Sequence, residues 1–266
     1  MGLALVAAVV FAYMTILWSL SIRRGDPSFI DAAWGFGFVV IAAVTFVTSV
    51  DEGDATRRWL LFALTAAWGL RLGGYLLWRW RRNGPDPRYA AMLRRVSGNP
   101  HVFTLTRVFW LQGALMWIVS LPVQLGQRTD EPRGLTITAA IGTAIVIVGL
   151  AFETTADAQL VAFKADQNNA GRVLDRGLWR YSRHPNYFGD ALVWWGLFLV
   201  AVVDAPTAVS VIGPIVMTTL LLRYSGVPIL ERGLRRRRPG YDDYVARTST
   251  FVPRRPRTTS PDQRTS

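Results

Sequence analysis

Residues 3–22 read LALVAAVVFAYMTILWSLSI, twenty residues without a charge before Arg23 and Arg24. A helix that crosses the hydrocarbon core needs about 20 mostly apolar residues. The stretch lacks the basic start of a cleaved signal peptide, and its arginines follow the apolar run. A retained helix with its N-terminus outside is therefore expected. Six further stretches have the same character: about 29–50, 59–78, 103–125, 135–152, 187–203 and 206–222. The expected fold is all-α: a polytopic membrane protein, a seven-transmembrane-helix bundle with cytoplasmic loops and short C-terminal helices. A single membrane domain would cover 1–253, with an N-terminal half over about 1–125 and a C-terminal half over about 135–253. The polar, Pro-rich segment 254–266 is expected to be a disordered tail.

Composition agrees with this reading and removes other classes. Hydrophobic residues make up 51% of the 266 and charged residues 18%, against about 25% charged in a typical soluble domain. A chain this apolar is not intrinsically disordered. With no Cys, it has no disulfide scaffold, thiolate zinc site, iron–sulfur cluster or Cys nucleophile. His101 and His184 are the only histidines, too few for a His-rich di-iron centre and a poor haem or metal pair. No metal is expected.

The net charge of +12 could mark nucleic-acid binding or a membrane topology. Its distribution decides. Loops 23–28, 79–102 and 156–186 and the tail from 223 carry 24 of the 30 Lys and Arg, and the opposite loops carry only Arg57, Arg58, Arg128 and Arg133. That asymmetry fits seven spans with the C-terminus cytoplasmic, and no nucleic-acid partner is expected. Trp59, Trp78 and Trp80 near span ends fit an interfacial aromatic belt. In loop 79–102, Pro87 can open a short helix on the membrane surface.

Charged groups inside spans cost at least about 2.5 kcal/mol at the helix centre, so they are functional candidates. Asp31 lies at the start of the second span. Arg71 and Tyr75 are four apart on the third and share a face; a structural pairing of Arg71 with Asp31 or Glu153 is the alternative. Glu153 and Asp157 share a face of the fifth, where two carboxylates repel unless cations or donors meet them.

The densest polar stretch is 171–190, GRVLDRGLWRYSRHPNYFGD. Gly177 implies a turn, Pro185 holds His184 extended, and Asn186 can cap a helix starting at Tyr187. Arg180, Tyr181, Arg183, His184 and Asn186 then gather at a helix N-terminus, which suits an anion such as phosphate. Farther on, Ser225–Pro228 should break the seventh span. Glu231 should open a basic helix ending in Arg235–Arg238, an expected contact for lipid headgroups. Tyr241 and Tyr244 fall one turn apart in a further short helix. Gly35-Phe-Gly37 is no dinucleotide fingerprint, because it lies inside a span and lacks the third Gly. No Walker loop or nucleophile elbow is present.

The stretch GLWRYSRHPNYFGDALVWWG, with ETTADAQLVAFK upstream and SGVPILERGLRRRRPGYDDYVARTSTFVP downstream, resembles the DUF1295 family, a branch of the membrane steroid 5α-reductase superfamily. DAAWGFGF, LRLGGYL and FWLQG are earlier echoes. The family usually has Glu where this chain has Asp190. The resemblance implies a seven-helix reductase that takes NADPH from the cytoplasmic side and transfers hydride to an activated C=C of a lipid-like substrate, whether steroid, unsaturated acyl or polyprenyl. It implies cofactor contacts at Glu153, Asp157, Lys164, Arg172, Tyr181, Asn186, Asp190 and Tyr244. It further implies an N-terminal substrate end, where an acid and a Tyr hold the substrate carbonyl. Asp31 would be the acid; Trp68 stands at the family's Tyr position, with Tyr75 two turns on. A monomer is expected.

The same region is similar to isoprenylcysteine carboxyl methyltransferase. On that likeness Arg183, His184, Tyr187, Glu231 and the Tyr241/Tyr244 pair would serve S-adenosylmethionine. The longer NYFGD match and the Glu153/Asp157 set favour the reductase. A lipid-binding membrane protein without activity is a third possibility, against which the polar residues within four spans argue.

Overall fold

The computed structural model describes residues 2–224 and 226–257, except for the side chain of Ile229. The described residues are all-helical, with no strand among them. Eleven helices carry the fold: α1 (Gly2–Arg24), α2 (Ile30–Thr48), α3 (Ala55–Asn83), α4 (Pro87–Leu93), α5 (Pro100–Val119), α6 (Leu121–Gly126), α7 (Ile137–Ala165), α8 (Pro185–Ala201), α9 (Ala205–Tyr224), α10 (Val227–Arg237) and α11 (Tyr241–Arg247). Six of them, α1, α2, α3, α5, α7 and α9, are long and apolar enough to cross a membrane, which is compatible with a multi-pass membrane protein. The expected sixth span corresponds to α8, which has 17 residues and is shorter than these six.

Local chemistry sets the helix starts. Asp54, Asp86, Asn99 and Asp204 each accept a backbone N–H of the following helix through their side chains, satisfying donors the first turn leaves orphaned. Pro87, Pro100 and Pro185 stand at the first helical position, where their fixed φ and missing N–H cost nothing. Pro185 therefore opens α8 itself. Asn186 lies inside the helix rather than capping it, against expectation, and its amide is released for another partner. Helix α10 likewise starts at Val227, four residues before Glu231. Of the expected break at 225–228, Ser225 lies outside the described residues, as do 258–266 of the tail.

The chain divides into two compact units, Met1–Thr143 with Gly196–Val216, and Ala144–Trp195 with Met217–Ser266. In the first, α2 and α3 pack backbone to backbone: a Cβ on Gly35 would stand 2.6 Å from the Gly69 carbonyl oxygen. Such small-residue contacts let apolar helices associate where water exclusion cannot drive them. Phe38 and Trp68, both fully buried, meet edge to face at 5.3 Å beside this contact. In the second unit α7 and α8 make the same kind of contact. A Cβ on Gly149 would lie 2.6 Å from the Gly189 oxygen, and one on Gly189 would lie 2.7 Å from the Glu153 nitrogen. Outward apolar residues such as Ile16 and Val47 stay exposed, as a lipid-facing surface requires.

Candidate functional site

The close approach of Gly149 and Gly189 determines what lies beside it. Glu153 is one turn along α7 from Gly149, and Asp157 one turn farther. Asn186 and Asp190 flank Gly189 on α8. Glu153, Asp157 and Asp190 are 3%, 6% and 7% exposed. Helix α7 has 29 residues, about 43 Å at 1.5 Å per residue, well beyond the roughly 30 Å hydrocarbon core. Glu153 lies just past the middle of this helix and Asp157 one turn nearer its C-terminal end. The Asn186 amide donates to Asp157 Oδ1 at 3.2 Å, supplying one of the donors the paired carboxylates were expected to need. Lys164, Arg172, Arg180 and Tyr181 follow in the same unit and are exposed.

The turn between α7 and α8 is built from its own sequence. Gly177 takes φ +61°, and a Cβ there would also strike the Gln159 side chain. Leu178 N–H donates to Gln159 Oε1 at 3.0 Å and Trp179 Nε1 to the Ala156 carbonyl at 3.1 Å, docking the turn on α7.

Arg183 and His184 point inward instead of toward an open anion site. Arg183 Nε donates to Glu231 Oε1 at 2.8 Å. Its Nη1 donates to the Thr248 and Val245 carbonyls at 2.6 and 3.2 Å, and its Nη2 to Thr250 Oγ1 at 2.9 Å. His184 Nε2 lies 3.1 Å from the same Glu231 oxygen, and its ring stacks on Tyr187 at 5.6 Å. Tyr244 donates to the Trp179 carbonyl at 2.5 Å. The residues of the methyltransferase likeness thus come together, but they bind one another. With these donors engaged internally, Arg183 acts as a clamp on the 245–250 segment.

The electrostatics follow from burial and pairing. Burial pushes the Glu231 carboxyl up, but hydrogen bonds from His184 and Arg183 and the Arg183 charge outweigh it and hold the group down at about 2. Burial lowers His184 below the ordinary imidazole value despite Glu231. Tyr241 is pushed up to about 12 by burial and by the Glu231 charge. Burial likewise raises Tyr244.

In the first unit, Asp31 opens α2, and α4 brings two groups to it. Tyr89 donates to Asp31 Oδ1 at 2.6 Å and Arg88 Nη2 to Oδ2 at 3.2 Å. Pro87 opens α4, as the sequence implies, and Asp86 caps it while also accepting from Arg88 Nε at 3.0 Å. A polar chain fixes this corner: Asp86 N–H donates to Ser28 Oγ, Ser28 N–H to Asp26 Oδ1, and Trp80 Nε1 to Asp26 Oδ2. Burial, the Asp31 charge and its hydrogen bond raise the Tyr89 phenol. Arg71 and Tyr75 lie half-buried on α3, with Tyr75 stacked on Trp78 at 6.1 Å. Trp68 is in the core. Arg88 and Tyr89 are thus the acid's partners that sequence reading missed. The signal that could have found them is the capped, Pro-opened helix carrying an Arg–Tyr pair in an otherwise apolar chain.

A family model described as "Protein of unknown function (DUF1295)" matches residues 17–248. An uncharacterized protein of Schizosaccharomyces pombe is 21% identical over 229 residues, covering 75% of this chain and 64% of that protein. This chain thus spans just under two thirds of that relative's length. No solved structure matches it.

Proposed function

The chain belongs to the DUF1295 family, and we propose that it is an integral-membrane reductase, transferring hydride from NADPH to an activated C=C bond of a lipid-like substrate. In this reading α8 is a seventh span, the N-terminus is outside and the C-terminus cytoplasmic. The observation that carries the proposal is the set of buried Glu153, Asp157 and Asp190 with half-buried Asn186, followed along the chain by exposed Lys164, Arg172, Arg180 and Tyr181.

The donor set fits a reduced nicotinamide dinucleotide. Carboxylates accept from ribose hydroxyls and the carboxamide, an Asn side chain both donates and accepts, and exposed cations balance phosphate charge. Arg183, His184, Glu231 and Tyr244 then position the segment around the set, and Tyr187 packs against His184. NADPH, when bound, supplies the hydride.

The substrate end is assigned to Asp31 with Tyr89 and Arg88. An enone accepts hydride at its β-carbon, the electron pair moves to the carbonyl oxygen, and a proton is added at the α-carbon. The chain's part is to polarise that oxygen. The Tyr89 proton already lies in a short hydrogen bond to Asp31. Turning that one hydroxyl toward a carbonyl makes it the polarising donor, while Arg88 balances the charge on Asp31. Tyr75 and Arg71 stand as the other candidates on α3.

The test is NADPH oxidation by the reconstituted protein with enone lipids of the steroid, acyl and polyprenyl classes. Asp31→Asn and Tyr89→Phe should each lower turnover by about 100-fold or more, as loss of a positioned acid does, with NADPH affinity kept. Unchanged turnover in both would remove this corner from the reaction. Loss in Tyr75→Phe alone would move the donor to α3.

A further inference from the structure

The turn joining α10 to α11 lines an open surface groove of about 510 Å³, formed by the continuous stretch Arg235 to Asp243. Gly240 takes φ +77° at the start of α11, and Asp242 in that helix's first turn accepts from Arg235 Nη1 at 2.7 Å. Arg237 Nε donates to the Gly233 carbonyl of its own helix at 3.0 Å, which leaves its terminal nitrogens for other acceptors. Among the described residues, Arg236 and Arg238 have no acidic partner. Four guanidiniums against Asp242 and Asp243 leave the lining with a charge of +2.

The place of this groove points to its ligand. Helix α10 begins three residues after α9 ends and packs against the Leu220–Tyr224 turn at the end of that candidate span. Leu230 is 41% exposed and Tyr224 67% exposed, while Arg232 and Arg235 to Arg237 are exposed on the same helix. A short helix with exposed apolar and basic residues directly after a membrane span lies in the lipid interface. Its 11 residues extend only about 16 Å, so its far end stays near the headgroups.

We infer that the Arg236–Arg238 turn is a discrete seat for the phosphate of one anionic phospholipid. The four-arginine run is then a site that folding of α11 completes, with Asp242 holding Arg235 out of the way. The inference rests on α9 crossing the membrane. It is independent of the reductase chemistry.

Native mass spectrometry of the detergent-purified full chain tests it, with phosphatidylglycerol and phosphatidylcholine added in turn. The wild type should retain about one phosphatidylglycerol in preference to phosphatidylcholine. The triple variant Arg236→Gln, Arg237→Gln, Arg238→Gln should lose that preference by tenfold or more, at about fivefold per arginine near a charged surface. Its melting temperature and NADPH binding should not change, since all three residues lie outside the proposed cofactor set. Equal retention of both lipids, or the same preference in the variant, would overturn the inference. So would displacement of phosphatidylglycerol by millimolar inorganic phosphate, which would make the seat one for a soluble anion. Loss of NADPH binding in the variant with lipid retention intact would assign these arginines to the cofactor instead.

Discussion

Arg183 is engaged by protein groups: its guanidinium meets Glu231, two backbone carbonyls and Thr250. Two arginines and a histidine before a helix read as an anion site, but sequence does not say whether a guanidinium meets a phosphate or a carboxylate 48 residues away. Breaking one side of a buried pair costs about 3–5 kcal/mol because the other charge stays behind. Arg183→Ala should therefore lower the melting temperature strongly, and Arg183→Lys should restore only part of it, since Lys cannot span four acceptors. A melting temperature unchanged in Arg183→Ala would show that the clamp holds nothing. His184 adds a pH dependence. Its folded value lies below the ordinary 6.5, so the fold favours neutral imidazole. That contribution is complete above pH 6.5 and is lost as pH falls toward and through the lowered value. Glu231, held at about 2 against an ordinary 4.5, contributes above 4.5 and loses its contribution only as pH falls through about 2. Melting temperatures between pH 7.5 and 5 should thus fall in the wild type and flatten in His184→Gln. An equal slope in both would assign the acid sensitivity elsewhere.

At the scale of elements, the long apolar helices were legible because each is close to a run of 20 apolar residues, and that length has few other uses. Glu153 and Asp157 were legible as a pair because helical periodicity alone puts them on one face. The contact that sets their surroundings was not, because Gly149 and Gly189 are remote in sequence and a lone glycine within an apolar run carries no sign of what it touches. Gly149→Val should strike the Gly189 carbonyl, spread α7 from α8 and cost about 1–3 kcal/mol, as overpacking does; thermal unfolding of the variant measures this. A neutral effect would mean the helices part without penalty. The pairing of Arg88 and Tyr89 with Asp31 is remote in the same way. They meet Asp31 from 57 and 58 residues away, through a helix of seven residues that has no apolar periodicity to announce its docking.

For the whole molecule, the proposed orientation follows from the basic asymmetry of the loops, and in that proposal the cofactor residues face the cytoplasm. Because the chain has no Cys, single introduced thiols report sidedness cleanly. A membrane-impermeant maleimide should label Asp51→Cys in intact cells and spare Asn168→Cys until the cells are opened; the reverse pattern would invert the topology. Equilibrium binding of NADPH to the purified protein, wild type against Asn186→Ala, separates the reductase from the other readings. Binding should be saturable and weaken about tenfold in the variant, the worth of one lost hydrogen bond to a charged partner. Absence of NADPH binding by the wild type, or saturable binding of S-adenosylmethionine in its place, would contradict it.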